Sequence, residues 1–167
     1  MKRILFSLAL SLIAMVSMAQ AKYVFYFIGD GMGANQVLAA EMYQAALQGQ
    51  INRVPLLMSQ FPYSGQAATF SASYGIIDSA AAGTCLASGK KTNNGMIGQT
   101  PDGEPAYSVA SKLHDEGWAV GIMSSVPVDH ATPASQYAHA EKRYEYYKIG
   151  TQLTQTGFNF FGGGGFQ

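Results

Sequence analysis

The sequence has few cysteines and few charges, and both shortages limit what the protein can be. Cys85 is the only cysteine among the 167 residues, so no disulfide can form within the chain. Charged residues make up 12% of the sequence, and ten Lys and Arg balance ten Asp and Glu. No basic stripe is present, which argues against nucleic acid as a specific partner. The sequence also has no internal repeat and no Ser/Pro-rich linker.

The first residues read as a secretory signal peptide covering residues 1–21. Lys2 and Arg3 give a positive start, residues 4–16 are largely apolar, and small residues follow. The apolar run is too short for a comfortable membrane span, so we expect no stable span after cleavage. A signal peptide predicts a secreted or periplasmic protein, with residues 22–167 as its folded part.

Cleavage is expected after Ala19 or Ala21, because small residues precede each bond. N-terminal sequencing of the exported protein should therefore begin at Gln20 or Lys22. Recovery of the mature protein with Met1 intact would contradict this assignment.

Strand-like and helix-like patterns alternate through the rest of the chain. Residues 23–28 are a continuous aromatic and β-branched run, which is typical of a strand buried on both faces. The other predicted strands are 63–70, 118–124 and 158–161, and the predicted helices are 35–48, 79–88, 106–116, 133–141 and 144–156. This alternation predicts an α/β fold with a largely parallel sheet. The glycine run 162–165 indicates either a flexible terminus or a chain cut in mid-fold.

Polar residues follow several predicted strands, where α/β proteins bind ligands. They are Asp30 after the first strand, Asp78 and Ser79 after the second, and Asp129, His130 and Thr132 after the third. Such a group of carboxylate, hydroxyl and imidazole side chains at one sheet edge suits metal-assisted phosphoryl transfer.

Ser79 opens an Ala-rich helix, where the unpaired N–H groups and the helix dipole favour negative charge. The residue fits either a plain N-cap serine or a nucleophile beside a bound phosphate.

Asp30 lies between glycines that leave its carboxylate open to a cation. Residues 29–34 also fit the dinucleotide pattern G-x-G-x-x-A, but residues 49–53 lack the acidic residue which that pattern needs.

His130 and Thr132 are two positions apart and would face the same way in extended chain, whereas Asp129 would point away. The alternative is a helix start with Thr132 as N-cap and Pro133 as the first helical residue. Arg143 could form a bidentate phosphate clamp, with Asp78 as the partner that orients its guanidinium.

Other reactive residue types in the chain have simpler interpretations. A buried, inert thiol is expected at Cys85. A structural or exposed histidine is expected at His139, and Lys90 and Lys91 read as surface charge at a turn.

Several of these pieces together resemble the N-terminal part of the alkaline phosphatases. The matching pieces are residues 27–33, 78–84 with 91–95, and 130–134 reaching Arg143, in the same order and spacing through residues 23–161. The resemblance implies a three-layer α/β/α alkaline-phosphatase-like fold. It also implies hydrolysis of phosphate monoesters through a phosphoserine at Ser79.

The resemblance implies metal roles as well. Of two Zn²⁺ ions in the family site, one would be bound by Asp30 and by the oxygen of Ser79. Asp30 would also bridge to a third, magnesium-type site. His130 and Thr132 would serve that third site. Some relatives carry Asp at the position of His130. Imidazole suits zinc or cobalt better than Mg²⁺, so the identity of the metal in the third site stays open.

The resemblance further places the remaining family ligands, an Asp/His set and a Glu, in a C-terminal half. The only spare histidines here are His114 and His139, so the sequence is expected to be truncated, a fragment or part of a split chain. It is expected to be inactive and poorly soluble alone, unless a homodimer or a completing C-terminal chain supplies the rest. The alternatives are a non-catalytic secreted fragment that binds phosphate or metal, and a phosphodiesterase or sulfatase-type hydrolase on the same scaffold.

Overall fold

The computed structural model describes residues 21–167. The predicted signal peptide therefore lies, but for its last residue, outside the described residues. The described residues divide into two units, 21–32 and 33–167, which are described separately. Among the described residues, no helix has the length and apolar character needed to cross a membrane.

Helices and two short strands make up the second unit. In chain order the elements are α1 (Ala34–Leu47), a 3-10 helix (Leu57–Gln60), α2 (Ser79–Ser88), α3 (Val109–Asp115), β1 (Gly121–Met123), α4 (Ala131–Ala134), α5 (Tyr146–Leu153) and β2 (Phe160–Gly162).

The strands β1 and β2 lie side by side and run parallel. Gly121 pairs with Phe160, and Met123 pairs with Gly162. Because α4 and α5 lie between the two strands in the chain, this part forms the strand–helix–strand unit that a parallel pair requires. The predicted alternation of strands and helices is therefore present here, although both strands are shorter than predicted.

The glycine run after β2 is packed against the segment that follows β1. The Gly164 N–H donates to the Val126 carbonyl at 3.0 Å, and the Val128 N–H donates to the Gly165 carbonyl at 2.9 Å. A Cβ on Gly163 would lie 2.8 Å from Val128 Cγ1, so only glycine allows this approach. The interpretation of the run as a flexible terminus was wrong.

Two predicted strands are absent. Residues 23–28 and 63–70 take no strand conformation, and most of their side chains are exposed. Their apolar composition indicates that burial would be favourable. A strand, however, also needs a neighbouring strand for its backbone groups, and composition does not show whether one is present.

The start and end of α1 agree with the prediction to within one residue, but its buried residues are Glu41 and Ala45 and not its large apolar side chains. Leu38 and Met42 are exposed, whereas Glu41 is buried. The Glu41 carboxylate accepts hydrogen bonds from Ser59 Oγ at 2.6 Å and from the Leu56 N–H at 3.1 Å, and it pairs with Arg53. These groups, the Ser59 hydroxyl foremost, lower the pKa of Glu41. Glu41 thereby holds residues 53–59 against α1.

Three helix predictions differ from the structure in their extent. The predicted helix 106–116 begins later, because Ser108 caps α3 by accepting a hydrogen bond from the Ser111 N–H at 3.0 Å. The predicted helix 144–156 is the shorter α5. The predicted helix 133–141 is reduced to α4, which gives way to a turn after Ala134.

The core of the second unit consists mainly of small residues around α2 and α4. Its buried members are Ala80, Ile97, Ala131, Ala134, Tyr137, Ala138, Ala140 and Ile149. Thr84 is fully buried on α2; its hydroxyl donates to the Ala80 carbonyl at 2.8 Å and accepts from the Gly98 N–H at 2.9 Å. This hydroxyl fixes the segment around Gly98 against α2.

Replacing Thr84 with Val should lower the free energy of unfolding by about 1–3 kcal/mol, because the buried Gly98 N–H loses its acceptor while the side-chain shape is kept. Thr84→Ser keeps the hydroxyl and serves as the matched control. Urea unfolding followed by the fluorescence of Trp118, the single tryptophan, gives both values. Equal losses in the two variants would show that the hydroxyl is unimportant.

Candidate functional site

The predicted nucleophile helix is present with the predicted limits, and Ser79 is its first residue. Asp78 caps the helix: its Oδ1 accepts a hydrogen bond from the Ala81 N–H at 3.0 Å. Ser79 is therefore not the N-cap. It occupies the first turn, where unpaired N–H groups and the dipole favour an anion.

The second oxygen of Asp78 holds two further groups. Oδ2 accepts a hydrogen bond from the Gly95 N–H at 3.1 Å and pairs with Arg143 Nη1 at 3.1 Å. The Asp78 N–H donates to Asn94 Oδ1 at 3.2 Å. The side chains of Asp78 and Arg143 are 24% and 28% exposed, so the ion pair is only partly screened by water.

Asn94 and Gly95 support the site, and reasoning from residue chemistry did not assign them this role. Asn94 Nδ2 donates to the Ile76 carbonyl at 2.9 Å, which ties the turn to the chain just before Asp78. The Asn93-Asn94-Gly95 turn signal was visible in the sequence. A turn signal identifies a loop, however, and does not show which carboxylate the loop will contact.

Arg143 lies between α4 and α5 and contacts two of the predicted site residues. In addition to the Asp78 pair, its Nη2 lies 3.2 Å from Nε2 of His130. The predicted orientation of the guanidinium by Asp78 is therefore present in the structure. One guanidinium joins the start of α2 to the start of α4.

His130 is the N-cap residue of α4, with φ −68° and ψ 154°. Thr132 lies inside that helix, so the prediction of Thr132 as N-cap was wrong. The argument that His130 and Thr132 face one way in extended chain fails for the same reason. Within the described structure, Nδ1 of His130 is buried without a hydrogen-bond partner, which leaves Nε2 as the nitrogen that faces Arg143.

Asp129 is buried, and its carboxylate is held by the backbone of Gln167. Both of its oxygens accept from the Gln167 N–H, at 3.2 and 3.0 Å. Burial, and secondarily the Asp129 charge, raise the pKa of the Tyr137 phenol well above its usual range. Tyr137 therefore stays protonated and donates to the Val128 carbonyl at 2.8 Å. Asp129 serves the local fold here.

Gly83 explains how α2 and α4 come close enough to share Arg143. A Cβ at Gly83 would lie 2.6 Å from Ser135 Oγ and 3.7 Å from the Thr132 Cα. A side chain at this position would push α4 away from α2. The sequence showed Gly83 only as one of several small residues, and this contact gives it a specific role.

Asp30 belongs to the first unit, where it lies in a turn closed by the Met32 N–H on the Gly29 carbonyl at 3.2 Å. Its carboxylate is on an exposed residue. In residues 21–167, no group of three or more His, Cys, Asp or Glu side chains is arranged to hold a metal ion. The metal roles of Asp30, Ser79, His130 and Thr132 stay predictions.

The remaining candidates lie outside this site. Cys85 is a free, partly buried thiol. The ring nitrogen Nδ1 of His139 bonds to the Gly98 carbonyl, and the ring packs edge-on against Tyr107, in agreement with a structural histidine. Lys91 is more than surface charge, because its ammonium lies 3.4 Å from the centre of the Phe70 ring.

Comparison with known proteins shows the family of this chain. The sequence profile of the family described as alkaline phosphatase matches residues 21–158. This chain belongs to the alkaline phosphatase family. The tissue-nonspecific alkaline phosphatase of Gallus gallus is 37% identical over 134 residues, which are 74% of this chain and 26% of that protein. The chain thus spans about a quarter of the length of the curated relatives it matches.

Solved alkaline phosphatases share the fold. The cold-active enzyme of Shewanella sp. matches with a TM-score of 0.72 and 28% identity over 80% of this chain and 33% of that one. A TAB5 alkaline phosphatase mutant, with His replaced by Asp and Mg bound in the M3 site, matches with a TM-score of 0.55. Its identity is 27%, over 62% of this chain and 33% of that one. The predicted α/β, alkaline-phosphatase-like fold is confirmed.

Replacing Asp78 tests how much the site depends on its carboxylate. Asp78→Ala removes the helix cap and the Arg143 pair together and should lower the free energy of unfolding by about 0.5–2 kcal/mol from the cap alone. Asp78→Asn is the matched control, because an amide oxygen still caps the helix but carries no charge. Urea unfolding should place Asp78→Asn between the wild-type chain and Asp78→Ala. Equal stability of all three proteins would contradict the role given to Asp78.

Proposed function

We propose that this chain supplies the nucleophile and phosphate clamp of a metal-dependent phosphomonoesterase. The observation that supports this most is the Asp78–Arg143 ion pair at 3.1 Å, directly beside Ser79 at the start of α2. A guanidinium and a helix start together offer several donors to one phosphate group.

In the proposed reaction, Arg143 and the first N–H groups of α2 hold the phosphoryl oxygens. Ser79 Oγ attacks phosphorus as the bond between phosphorus and the ester oxygen breaks, and the proton of the Ser79 hydroxyl passes through water to the leaving oxygen, which departs as the alcohol. Water then attacks the phosphoserine and releases phosphate and Ser79. Dividing the displacement into two steps is the general advantage of a covalent nucleophile.

The proposal extends to the metal sites that the family resemblance implies. His130 directs one nitrogen, Nε2, towards the clamp, while its other nitrogen is buried. We propose that Asp30 and Ser79 contribute to one of two zinc sites, and that Asp30, His130 and Thr132 contribute to a third, magnesium-type site. Bound divalent cations would lower the pKa of a coordinated hydroxyl and stabilise charge on the phosphoryl oxygens.

The third site is of particular interest because of His130. In the TAB5 mutant, Mg is bound in the M3 site of a protein whose His has been replaced by Asp. Imidazole is a softer ligand than carboxylate, so a third site containing His130 favours zinc or cobalt over magnesium.

We also propose that the protein is secreted or periplasmic. A homodimer or a C-terminal chain would complete the ligand set. Large apolar side chains are exposed in each unit, Tyr23, Phe25 and Phe27 in the first and Tyr63 in the second, and each set is apolar surface that a partner could cover.

The proposal predicts a phosphoenzyme on Ser79. The exported chain, with any chain that co-purifies with it, is loaded with Zn²⁺ and Mg²⁺, incubated with a phosphate monoester and quenched in acid. Peptide mass spectrometry should find phosphate on Ser79. Ser79→Ala should abolish the label, and Arg143→Ala should weaken phosphate binding by about 1–3 kcal/mol.

Ser88→Ala is the matched control for this experiment, because Ser88 ends the same helix and its hydroxyl donates to the Thr84 carbonyl at 2.7 Å. Its label should equal that of the wild-type chain. Phosphate on Thr84 or Thr132 would identify a different nucleophile. Turnover of a chromogenic ester by residues 22–167 alone, lost in Ser79→Ala, would show that no completing chain is needed.

A further inference from the structure

The inference concerns Asn94, which stands in the one Asn-Gly pair of the sequence. We propose that Asn94 is a site of spontaneous deamidation, that Asp78 holds the reaction back in the folded chain, and that the product loosens the start of α2. The modification needs only water as a co-reactant. It concerns the covalent fate of the chain and does not rest on the proposed function.

The chemistry of an Asn-Gly pair makes the asparagine amide labile. The backbone nitrogen of Gly95 attacks Cγ of Asn94 and gives its proton to water. The bond from Cγ to Nδ2 breaks, and Nδ2 takes a proton from water and leaves as ammonia, so that a five-membered succinimide ring remains. Water then opens the ring at either carbonyl and leaves aspartate or isoaspartate at position 94. Glycine favours the ring closure because it has no side chain to obstruct the attack.

The structure engages both of the groups that must react. The Gly95 N–H, which supplies the nucleophile, donates to Oδ2 of Asp78 at 3.1 Å. The Asn94 amide is held at both ends: Oδ1 accepts from the Asp78 N–H at 3.2 Å, and Nδ2 donates to the Ile76 carbonyl at 2.9 Å. Ring closure requires Cγ to approach the Gly95 nitrogen while that nitrogen loses its proton, so the fold opposes the reaction at both groups.

Burial does not protect this turn. Asn94 and Gly95 are both partly exposed and line a surface cavity, so water reaches them. Gly95 has a left-handed φ of 87°, at which a residue with a side chain would be strained. The turn therefore requires the glycine that makes Asn94 labile, and the hydrogen bonds to Asp78 provide the protection.

Deamidation would change the bonds that join the turn to the start of α2. A carboxylate at position 94 has no N–H to donate to the Ile76 carbonyl, and its charge would lie close to the Asp78 carboxylate. Isoaspartate also adds a methylene to the backbone before Gly95 and displaces the N–H that Asp78 accepts. The product thus disturbs the carboxylate that positions Arg143.

Peptide mass spectrometry of aged protein tests the site. The exported chain, with any chain that co-purifies with it, is kept at mildly alkaline pH, either folded or in guanidinium chloride, and conversion of amide to acid is followed at every asparagine. Asn94 should react fastest in denaturant and at least about ten-fold more slowly in folded protein. The slow internal references are the four asparagines that larger residues follow: Asn35, Asn52, Asn93 and Asn159. Equal rates at Asn94 in both conditions, or a faster asparagine in denaturant, would overturn the proposal.

Two variants separate the hold on Gly95 from the ion pair. Asp78→Ser keeps a residue that can cap α2 but lacks the second oxygen that accepts from Gly95. Asn94 in this folded variant should react about three- to thirty-fold faster, which corresponds to the loss of one hydrogen bond to a charged acceptor. Arg143→Gln is the matched control, because it removes the same ion pair and leaves the Gly95 N–H on Asp78. No acceleration in Asp78→Ser, or equal acceleration in both variants, would overturn the proposal.

Two measurements need no variant and keep the test decisive if Asp78→Ser does not fold. In the wild-type chain the Gly95 N–H should exchange its hydrogen at least about ten-fold more slowly than an unstructured amide, and equal rates would overturn the role given to Asp78. Brief proteolysis of an aged sample in increasing urea compares modified and unmodified molecules directly. Molecules that keep Asn94 should survive to higher urea, whereas equal survival would overturn the loosening of α2.

Discussion

The carboxylate of Asp78 is the interaction on which the rest of the site depends. It begins α2 through the Ala81 N–H, fixes the turn at Gly95, and pairs with Arg143. These groups come from three separate stretches of the chain. Because both oxygens are engaged, the carboxylate cannot turn towards one partner without weakening another. The position of the guanidinium is therefore set by the same group that places Ser79 in the first helical turn.

Small residues make this arrangement possible, since they bring two helix starts within reach of one arginine. Ala80, Gly83, Ala131 and Ala134 are buried where α2 meets α4. A core of alanines contributes little apolar area per residue, so its stability depends on close packing and on satisfied polar groups such as the Thr84 hydroxyl. The small residues beside Ser79 serve helix packing as well as helix propensity.

The parts of the structure that could be predicted from sequence are those fixed by local chemistry. Helix α2 was predicted at both ends, because Ala-rich sequence lies between an Asp–Ser start and Gly89, which has a left-handed φ of 71°. The Asp78–Arg143 pair followed from the geometry of carboxylate and guanidinium. Whether residues 23–28 and 63–70 form strands could not be decided from their composition, because a strand needs a neighbouring strand to pair with. Glu41 was missed because an apolar pattern gives no weight to a buried carboxylate with several donors.

The two partners of Arg143 differ in charge, and this difference decides which hydrogen bond is the weaker one. Asp78 is an anion, so its hydrogen bond joins opposite charges at a site with little exposure, whereas His130 is a neutral acceptor. Bonds between two ionised groups are the stronger kind, and the partly buried carboxylate of Asp78 would be costly to leave unpaired. In the proposed function, a phosphate at Ser79 would compete for the guanidinium with both partners, and the neutral partner would give way first. Arg143 could therefore exchange His130 for another acceptor and keep its position, because the bond to Asp78 is the one that orients it.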